Sequence, residues 1–150
     1  MVEAIERVVL LKHMVAGDLP RTQVLLSQLG YIVDAQELSH RYDAVIRSGD
    51  HALIVAEENG PIVAFCHVYA RPALDKLPEA VVQALVVDHV HRRKGIGRRM
   101  MAAAESWSVN RGFTSGALAS HVSRAAAHSF YENRGYRCEA MSHLFHKTVY

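Results

Sequence analysis

Two glycines follow an apolar run in the middle of the chain, and basic residues surround them. The run Ala84-Leu-Val-Val-Asp88 has the composition of a strand, and Gly95 and Gly97 open a stretch with apolar residues at helical spacing. The first amides of a helix have no partner within it and carry a partial positive charge, so glycines there let an anion approach the backbone. The sequence therefore predicts a pyrophosphate site, with added charge from Arg92, Arg93, Lys94, Arg98 and Arg99.

Spacing excludes two common phosphate-binding motifs at this position. A P-loop needs Gly-Lys-Ser/Thr after a gap of four residues from its first glycine, and the sequence has none. A dinucleotide fingerprint needs a third glycine where Met100 stands, and an acidic residue about twenty positions later, where the sequence reads Ala119-Ser120. The pattern that remains is Arg92-x-x-Gly95-x-Gly97 directly after a strand.

Strands and helices alternate around this loop in a way that predicts a mixed α/β domain. Asp18 and Pro20 indicate a helix start, with the Asp18 side chain accepting from the first-turn amides, and Asp34 indicates another. Asn59-Gly60 predicts a hairpin turn. The predicted strands are Ile5–Leu11, Ala52–Glu57, Ile62–Tyr69, Ala80–Val87, Ser115–Ser120, Tyr136–Ala140 and His143–Val149. The predicted helices run from Asp18 to Gly30, Asp34 to Gly49, Gly95 to Asn110 and Ser123 to Asn133.

Alternation along the third apolar strand predicts which of its side chains share a face. Counting every second residue places Glu79, Val81, Gln83, Leu85 and Val87 together.

Length and composition are those of one soluble domain. The chain has 150 residues, half of them apolar, and a formal net charge of +2, too even for bulk attraction to nucleic acid or anionic lipid. No apolar stretch reaches the length of a membrane span. Cys66 and Cys138 are far apart and are expected to stay reduced, which favours a cytoplasmic location. The scattered histidines predict no metal site.

A second motif follows downstream and identifies a family. The segment Arg124-Ala-Ala-Ala-His-Ser-Phe-Tyr-Glu-Asn-Arg-Gly-Tyr136, taken with the Arg92-x-x-Gly95-x-Gly97 loop, resembles the two signatures of the GNAT superfamily of acetyl-CoA-dependent N-acetyltransferases, in the small bacterial type. The resemblance implies a single GNAT domain over residues 1–150. It also implies a central, mostly antiparallel, twisted sheet with helices on both faces.

The resemblance implies how acetyl-CoA would be held. The backbone of Leu85, Val86 and Val87 would pair with the pantetheine arm, and an N–H near Val87 would stabilise the oxyanion. The loop amides and their basic side chains would bind the phosphates. Arg124 stands where many relatives carry a coenzyme-contacting asparagine, and three roles stay open for it: a contact with the coenzyme, a contact with the acceptor, or the cap of a surface helix. The coenzyme-binding residues expected in the loop are Arg92, Arg93, Lys94, Gly95, Ile96, Gly97 and Arg98.

The resemblance assigns an acid but leaves the base open. Tyr131 occupies the position of the acid that protonates the leaving thiolate. Many relatives carry a basic glutamate on the central strand where this chain has Val81. Glu79 is a candidate for the base, directly or through water, and Gln83 is a candidate for positioning that water. His67 and Tyr69 on the adjoining strand are further candidates, so the base stays unassigned.

The implied activity is acetyl transfer to a primary amine by direct attack in a ternary complex. The alternative is a coenzyme A-binding sensor, or a partner-binding module, that has lost turnover. The acceptor is expected to be a small-molecule or peptide amine rather than nucleic acid or membrane, and its charge stays open. Similar proteins are often dimers, so a homodimer is expected.

Overall fold

The computed structural model describes residues 8–120 and 122–150, in two compact units, Met1–Ala119 and Ser120–Tyr150. The predicted first strand begins at Ile5, and residues 5–7 lie outside the described residues. Short 3-10 helices occupy Ala16–Asp18 and His89–His91. The remaining elements are β1 Val9–His13, α1 Leu19–Gln28, α2 Ala35–Arg47, β2 His51–Glu58, β3 Ile62–Arg71, β4 Glu79–Val87, α3 Ile96–Asn110, β5 Gly116–Leu118 and α4 Ala125–Asn133.

The first unit is a mixed sheet in the order β1-β2-β3-β4-β5. The pairs from β1 to β4 are antiparallel, whereas β4 and β5 are parallel. Parallel neighbours need a crossover, which α3 supplies between them. Helices α1 and α2 pack on one face of the sheet and α3 on the other. The predicted mostly antiparallel sheet with helices on both faces is confirmed.

The core under α1 joins that helix to the centre of the sheet. Leu25 of α1 packs with Val55, Phe65 and Val86 of β2, β3 and β4. On the other face, α3 buries Ile96, Met100, Met101 and Ala104. β4 thus contacts α1 on one face and α3 on the other, which holds the strand that leads into the glycine loop.

The two early helix starts use their aspartates differently. Asp34 precedes α2 and accepts from the Glu37 amide at 2.8 Å, as predicted. The predicted role of Asp18 is wrong: its carboxylate accepts from the Val15 amide at 2.9 Å and makes no cap bond to α1. The 3-10 turn that ends at Asp18 runs directly into α1, so the Asp18 backbone is already helical and its side chain points back along the chain.

The hairpin forms at the predicted residues. Asn59 and Gly60 both have positive φ, at 55° and 112°, as a tight turn between two strands with right-handed twist requires.

A bulge makes the predicted alternation of β4 wrong. Pairing with β3 shifts between His67 and Val68, which face Ala84 and Val82, so Gln83 is the extra residue. Glu79 and Val81 consequently lie on the same face as Ala84 and Val86, opposite the face of Leu85 and Val87.

The closing strands are also absent where they were expected. Within described residues 122–150 no strand is assigned, so the predictions for Tyr136–Ala140 and His143–Val149 are wrong for this chain alone. A strand needs a neighbouring backbone to bond with, and this segment lies exposed. The end of α4 is as predicted, with Gly135 at φ 90° and the Tyr136 amide donating to the Tyr131 carbonyl.

Candidate functional site

The carboxyl half of β4 has an open edge. β5 pairs with β4 only through Ala80, Val81 and Val82. Among the described residues, no strand pairs with that edge of β4 from Gln83 to Val87. The bulge at Gln83 coincides with the point where the pairing stops.

Backbone alternation decides which groups face this opening. The Asp88 amide donates to the Val63 carbonyl of β3 at 2.8 Å, and successive residues of a strand turn their N–H and C=O groups to alternate edges. Val86 therefore faces β3, whereas Leu85 and Val87 face the opening. The Val87 carbonyl accepts from Arg92 Nε at 3.1 Å. The predicted trio thus splits, with its outer members presenting backbone groups and Val86 packed into the core.

The loop after β4 turns twice through the left-handed region. Arg93 has φ of 61° and Gly95, the residue before α3, has φ of 79°. A residue other than glycine costs about 1–3 kcal/mol there, and such strain concentrates at binding sites. Arg93, the residue with the strained backbone, thus falls within the segment that was predicted to bind phosphate.

The amino end of α3 has amides that the helix itself does not use. The first intrahelical bond runs from the Arg99 amide to the Gly95 carbonyl at 3.2 Å, and Gly95 supplies no side-chain cap. Ile96 is buried and fixes this end, while Gly97 is half-buried. The basic side chains at Arg92, Arg93, Lys94, Arg98 and Arg99 are exposed. This end of α3 therefore combines free donors, positive charge and room, which fits a diphosphate.

A buried carboxylate holds the start of the loop. Asp88 accepts from Arg21 Nη2 at 2.9 Å and from Gln28 Nε2 at 3.3 Å, both on α1. The Gln28 side-chain oxygen accepts from the His89 amide at 3.0 Å. Burial acts to raise the pKa of Asp88, but the hydrogen bonds from Gln28 and Arg21 outweigh it and the pKa is lowered. Asp88 therefore stays ionised and ties α1 to the residues just before the loop.

A second buried carboxylate contacts the same turn. Glu58, at the end of β2, lies with Oε2 2.6 Å from His91 Nδ1. Sequence reasoning missed this pair and the Asp88 network. The sequence does show an acidic residue at the end of each of two apolar strands, Glu58 in β2 and Asp88 after β4. Their partners could not be predicted, because they come from distant parts of the chain.

Glu79, at the other end of β4, forms ion pairs with two basic side chains. Arg71 hydrogen-bonds to the Glu79 carboxylate, and Lys76 Nζ lies 3.2 Å from it. The bond from Arg71 lowers the pKa of Glu79, and burial opposes that change only in part. At about 3.3 Å per residue, Glu79 stands roughly 26 Å along β4 from Val87.

Histidines lie closer to the open edge, on the α1 face of the sheet. His67 pairs with Ala84 beside the bulge. Its Nε2 lies 2.8 Å from His51 Nδ1, and the Tyr69 ring stacks on His51 at 5.3 Å between centroids. Burial, and then the charge of His51, lower the pKa of His67 to about 4. His67 is therefore neutral at neutral pH.

The second unit carries the downstream motif on α4. Tyr131 lies in the last turn of the helix, with its ring edge-on to Phe130 at 5.2 Å and to Tyr136 at 6.0 Å. Arg124 is exposed at the amino end of α4.

Both cysteines are free, and Cys66 is buried, which raises the pKa of its thiol to about 12. In the part of the chain that the structure describes, no group of three metal-ligating side chains forms. Over the described ranges, no helix has the length and apolar character of a membrane span.

The open edge of β4 leads through the strained loop to the uncapped start of α3. Comparison with known proteins gives the class of the protein. The model of the "Acetyltransferase (GNAT) family" matches residues 22–136, so the chain belongs to this family and acetyl-CoA is its acetyl donor.

Particular relatives share the sequence or the fold. The "Uncharacterized N-acetyltransferase YhdJ" of Bacillus subtilis is 29% identical over 126 residues, which cover 83% of this chain and 87% of that protein. The structure of the aminoglycoside N-acetyltransferase AAC(6')-Iy in complex with CoA has a TM-score of 0.87 at 16% identity, over 99% and 100% of the two chains. A putative acetyltransferase from Agrobacterium tumefaciens has a TM-score of 0.83 at 24% identity, over 92% and 99%.

Proposed function

We propose that the chain acetylates a primary amine by direct attack within a ternary complex of enzyme, acetyl-CoA and acceptor. The observation that carries this proposal is the open edge of β4, which leads directly to the uncapped amino end of α3. Neither cysteine lies in the loop or in the Arg124–Tyr136 motif, which supports direct transfer over a covalent thioester on the protein.

The residues that would hold the donor follow from this geometry. The loop and α3 amides from Arg93 to Arg98 bind the diphosphate, and the exposed side chains of Arg92, Arg93 and Lys94 add charge. The outward groups of Leu85 and Val87 pair with the amides of the pantetheine arm. Arg124 contributes a further coenzyme contact. Acetyl-CoA supplies the acetyl group as a thioester.

A backbone N–H stabilises the charge that develops during the reaction, and Tyr131 acts as the acid. The N–H near Val87 donates to the acyl oxygen and stabilises the negative charge that builds there as the amine attacks. The Tyr131 hydroxyl gives its proton to the departing thiolate, an acid role that suits a tyrosine because the unperturbed phenol pKa of about 10 lies somewhat above that of a thiol.

Position along β4 favours His67, which pairs with Ala84 beside the open edge, over Glu79 for removing the proton from the amine. Direct transfer needs a heavy-atom separation of about 3 Å, or one bridging water, and Glu79 is too far along β4 for either. With the Nε2 hydrogen of His67 donated to His51, His67 Nδ1 accepts the amine proton and His51 Nδ1 receives the relayed one. Glu79 acts on the acceptor side, where it fixes Arg71 and Lys76.

Paired substitutions separate these roles. We expect His67→Gln to lower kcat about 100-fold, because a general base is worth that much or more, and to leave coenzyme affinity unchanged. We expect Glu79→Gln to raise the acceptor KM severalfold and to change kcat by less than about threefold. Steady-state kinetics at saturating acetyl-CoA measure both. The reverse ranking of the two kcat values would assign the base to Glu79.

The acceptor is a small-molecule or peptide amine. Several solved relatives are aminoglycoside N-acetyltransferases, and one is in complex with sisomicin. We assign the chain to the cytoplasm, and to a homodimer, as the resemblance to the family suggests.

Calorimetry followed by a thiol-release assay tests the proposed function. The chain should bind acetyl-CoA and release coenzyme A faster than its background hydrolysis with at least one amine of a panel that includes aminoglycosides, polyamines and peptides. Tight binding without amine-dependent release for any acceptor would favour the sensor function instead.

A further inference from the structure

Gln28, the last residue of α1, hydrogen-bonds to both sides of the junction between β4 and the glycine loop. Its Nε2 donates to Asp88 Oδ1 at 3.3 Å, and its Oε1 accepts from the His89 amide at 3.0 Å. Asp88 directly follows β4, and His89 begins the 3-10 helix that leads to Arg92. One half-buried side chain thus fixes an acceptor and a donor on two consecutive residues.

The Asp88 carboxylate transmits this constraint to the turn that follows it. It also accepts from the Val90 amide at 3.3 Å, which holds the amino end of the 3-10 helix. Arg21 donates a further hydrogen bond to the same carboxylate at 2.9 Å. α1 therefore holds this turn through two side chains, of which Gln28 also bonds to the backbone of the turn.

The residues that come next form the proposed diphosphate site. Arg93 has a φ of 61°, and a residue other than glycine keeps such a conformation only when its surroundings hold it there. The buried Ile96 fixes the loop at its α3 end, and the Gln28 contacts fix it at its β4 end. Donors that are already in place bind an anion more tightly, because binding then costs no ordering of the backbone.

We propose that Gln28 is a positioning residue for acetyl-CoA, whose two hydrogen bonds keep the amides from Arg93 to Arg98 in the geometry that binds the diphosphate. Gln28 acts through Asp88 and His89, so it changes the affinity for the donor and not the chemical step. This role rests on the proposed diphosphate site in the loop. When the binding geometry of the loop is only partly populated, the apparent Kd rises in proportion.

Replacing Gln28 with methionine removes both hydrogen bonds at a similar side-chain length. We expect Gln28→Met to raise the Kd for coenzyme A about tenfold, which is what one lost hydrogen bond to a charged group is worth. The kcat at saturating acetyl-CoA should stay within about twofold of the wild-type value. Methionine is a good helix former, and Arg21 still pairs with Asp88, so the fold should be retained. Calorimetry and steady-state thiol release measure the two quantities.

Gln23→Met is the matched control on the same helix. Gln23 Nε2 donates to the Val33 carbonyl at 2.8 Å, so this variant loses a hydrogen bond of the same type away from the loop. Its Kd for coenzyme A should equal the wild-type value. An unchanged Kd in folded Gln28→Met, or an equal rise of the Kd in both variants, would overturn the positioning role.

Gln28→Glu adds a pH-dependent readout that a loss of packing would not produce. The introduced carboxylate repels that of Asp88 when both are ionised, whereas one proton shared between them restores a hydrogen bond. The Kd of Gln28→Glu divided by the wild-type Kd should therefore fall severalfold from about pH 8 to about pH 5.5. This ratio cancels the contributions of the other charged groups around the turn, which are Arg21, His89, Glu58 and His91. A ratio that does not change with pH would contradict the positioning role, and this variant decides the question if Gln28→Met does not fold.

The wild-type chain distinguishes a failure of this role from a failure of the diphosphate site. If coenzyme A shifts the amide resonances of Arg93 to Arg98 in the wild type, and Gln28→Met binds equally well, the site stands and the role of Gln28 is wrong. If the wild type binds coenzyme A without shifts at those amides, the site itself is contradicted and the role of Gln28 is wrong with it.

Discussion

Replacing Tyr131 with phenylalanine is expected to lower kcat about tenfold to a thousandfold with little change in coenzyme affinity. The substitution removes only the hydroxyl, so the ring contacts with Phe130 and Tyr136 remain. Loss of a positioned acid leaves the departing thiolate without its proton donor, which lowers the rate of the chemical step. Steady-state thiol release and calorimetry with coenzyme A measure the two quantities.

Tyr136→Phe is the control for this substitution. Tyr136 is a second tyrosine at the end of the same motif, and its ring contacts that of Tyr131. It should keep kcat close to the wild-type value. An unchanged kcat in Tyr131→Phe would remove Tyr131 from the mechanism, and an equal loss in both variants would indicate a packing effect.

Gly97→Val is expected to weaken coenzyme binding on the order of 100-fold to 1,000-fold. Gly97 is the second residue of α3, so a branched side chain there obstructs the free amides of the first turn. Hydrogen bonds to a charged group are worth about 1.5–3 kcal/mol each, and 1.4 kcal/mol is a factor of ten in affinity. Losing two of them accounts for the expected change, which calorimetry measures directly.

The Gly97→Val experiment needs one control for folding and one for the position of the substitution. Valine has a better helix propensity than glycine, so α3 should form. Gly49→Val is the matched control, because a Cβ at Gly49 meets nothing within 4 Å and Gly49 lies in neither motif. Undiminished coenzyme affinity in a folded Gly97→Val protein would contradict the loop assignment.

Local patterns were enough to predict most elements of the first unit. Pro20 and Asp34 mark helix starts, and Asn59-Gly60 marks the hairpin, because each acts on backbone within three residues of its own position. The bulge at Gln83 could not be predicted, because it depends on the register between β3 and β4. Periodicity alone assigned Glu79 and Leu85 to one face, and the bulge separates them.

In the candidate site, too, contacts between residues far apart in the sequence could not be predicted. The glycine loop is a short motif and could be located from its residues. The groups that hold it could not, because Arg21 and Gln28 reach Asp88 from α1 and Glu58 reaches His91 from β2. The closing segment has a strand pattern, yet no strand forms in described residues 122–150, because a strand needs a neighbouring backbone that a local pattern does not supply.

An amide chemical-shift titration with coenzyme A tests the central claim most directly. If the diphosphate binds at the start of α3, the largest shifts should fall on the amides from Arg93 to Arg98, with further shifts at Leu85 and Val87. The shifts should saturate with the calorimetric Kd and disappear in Gly97→Val. Saturable binding that shifts amide resonances elsewhere in the chain, and leaves the resonances of Arg93 to Arg98 unchanged, would contradict the proposed binding site.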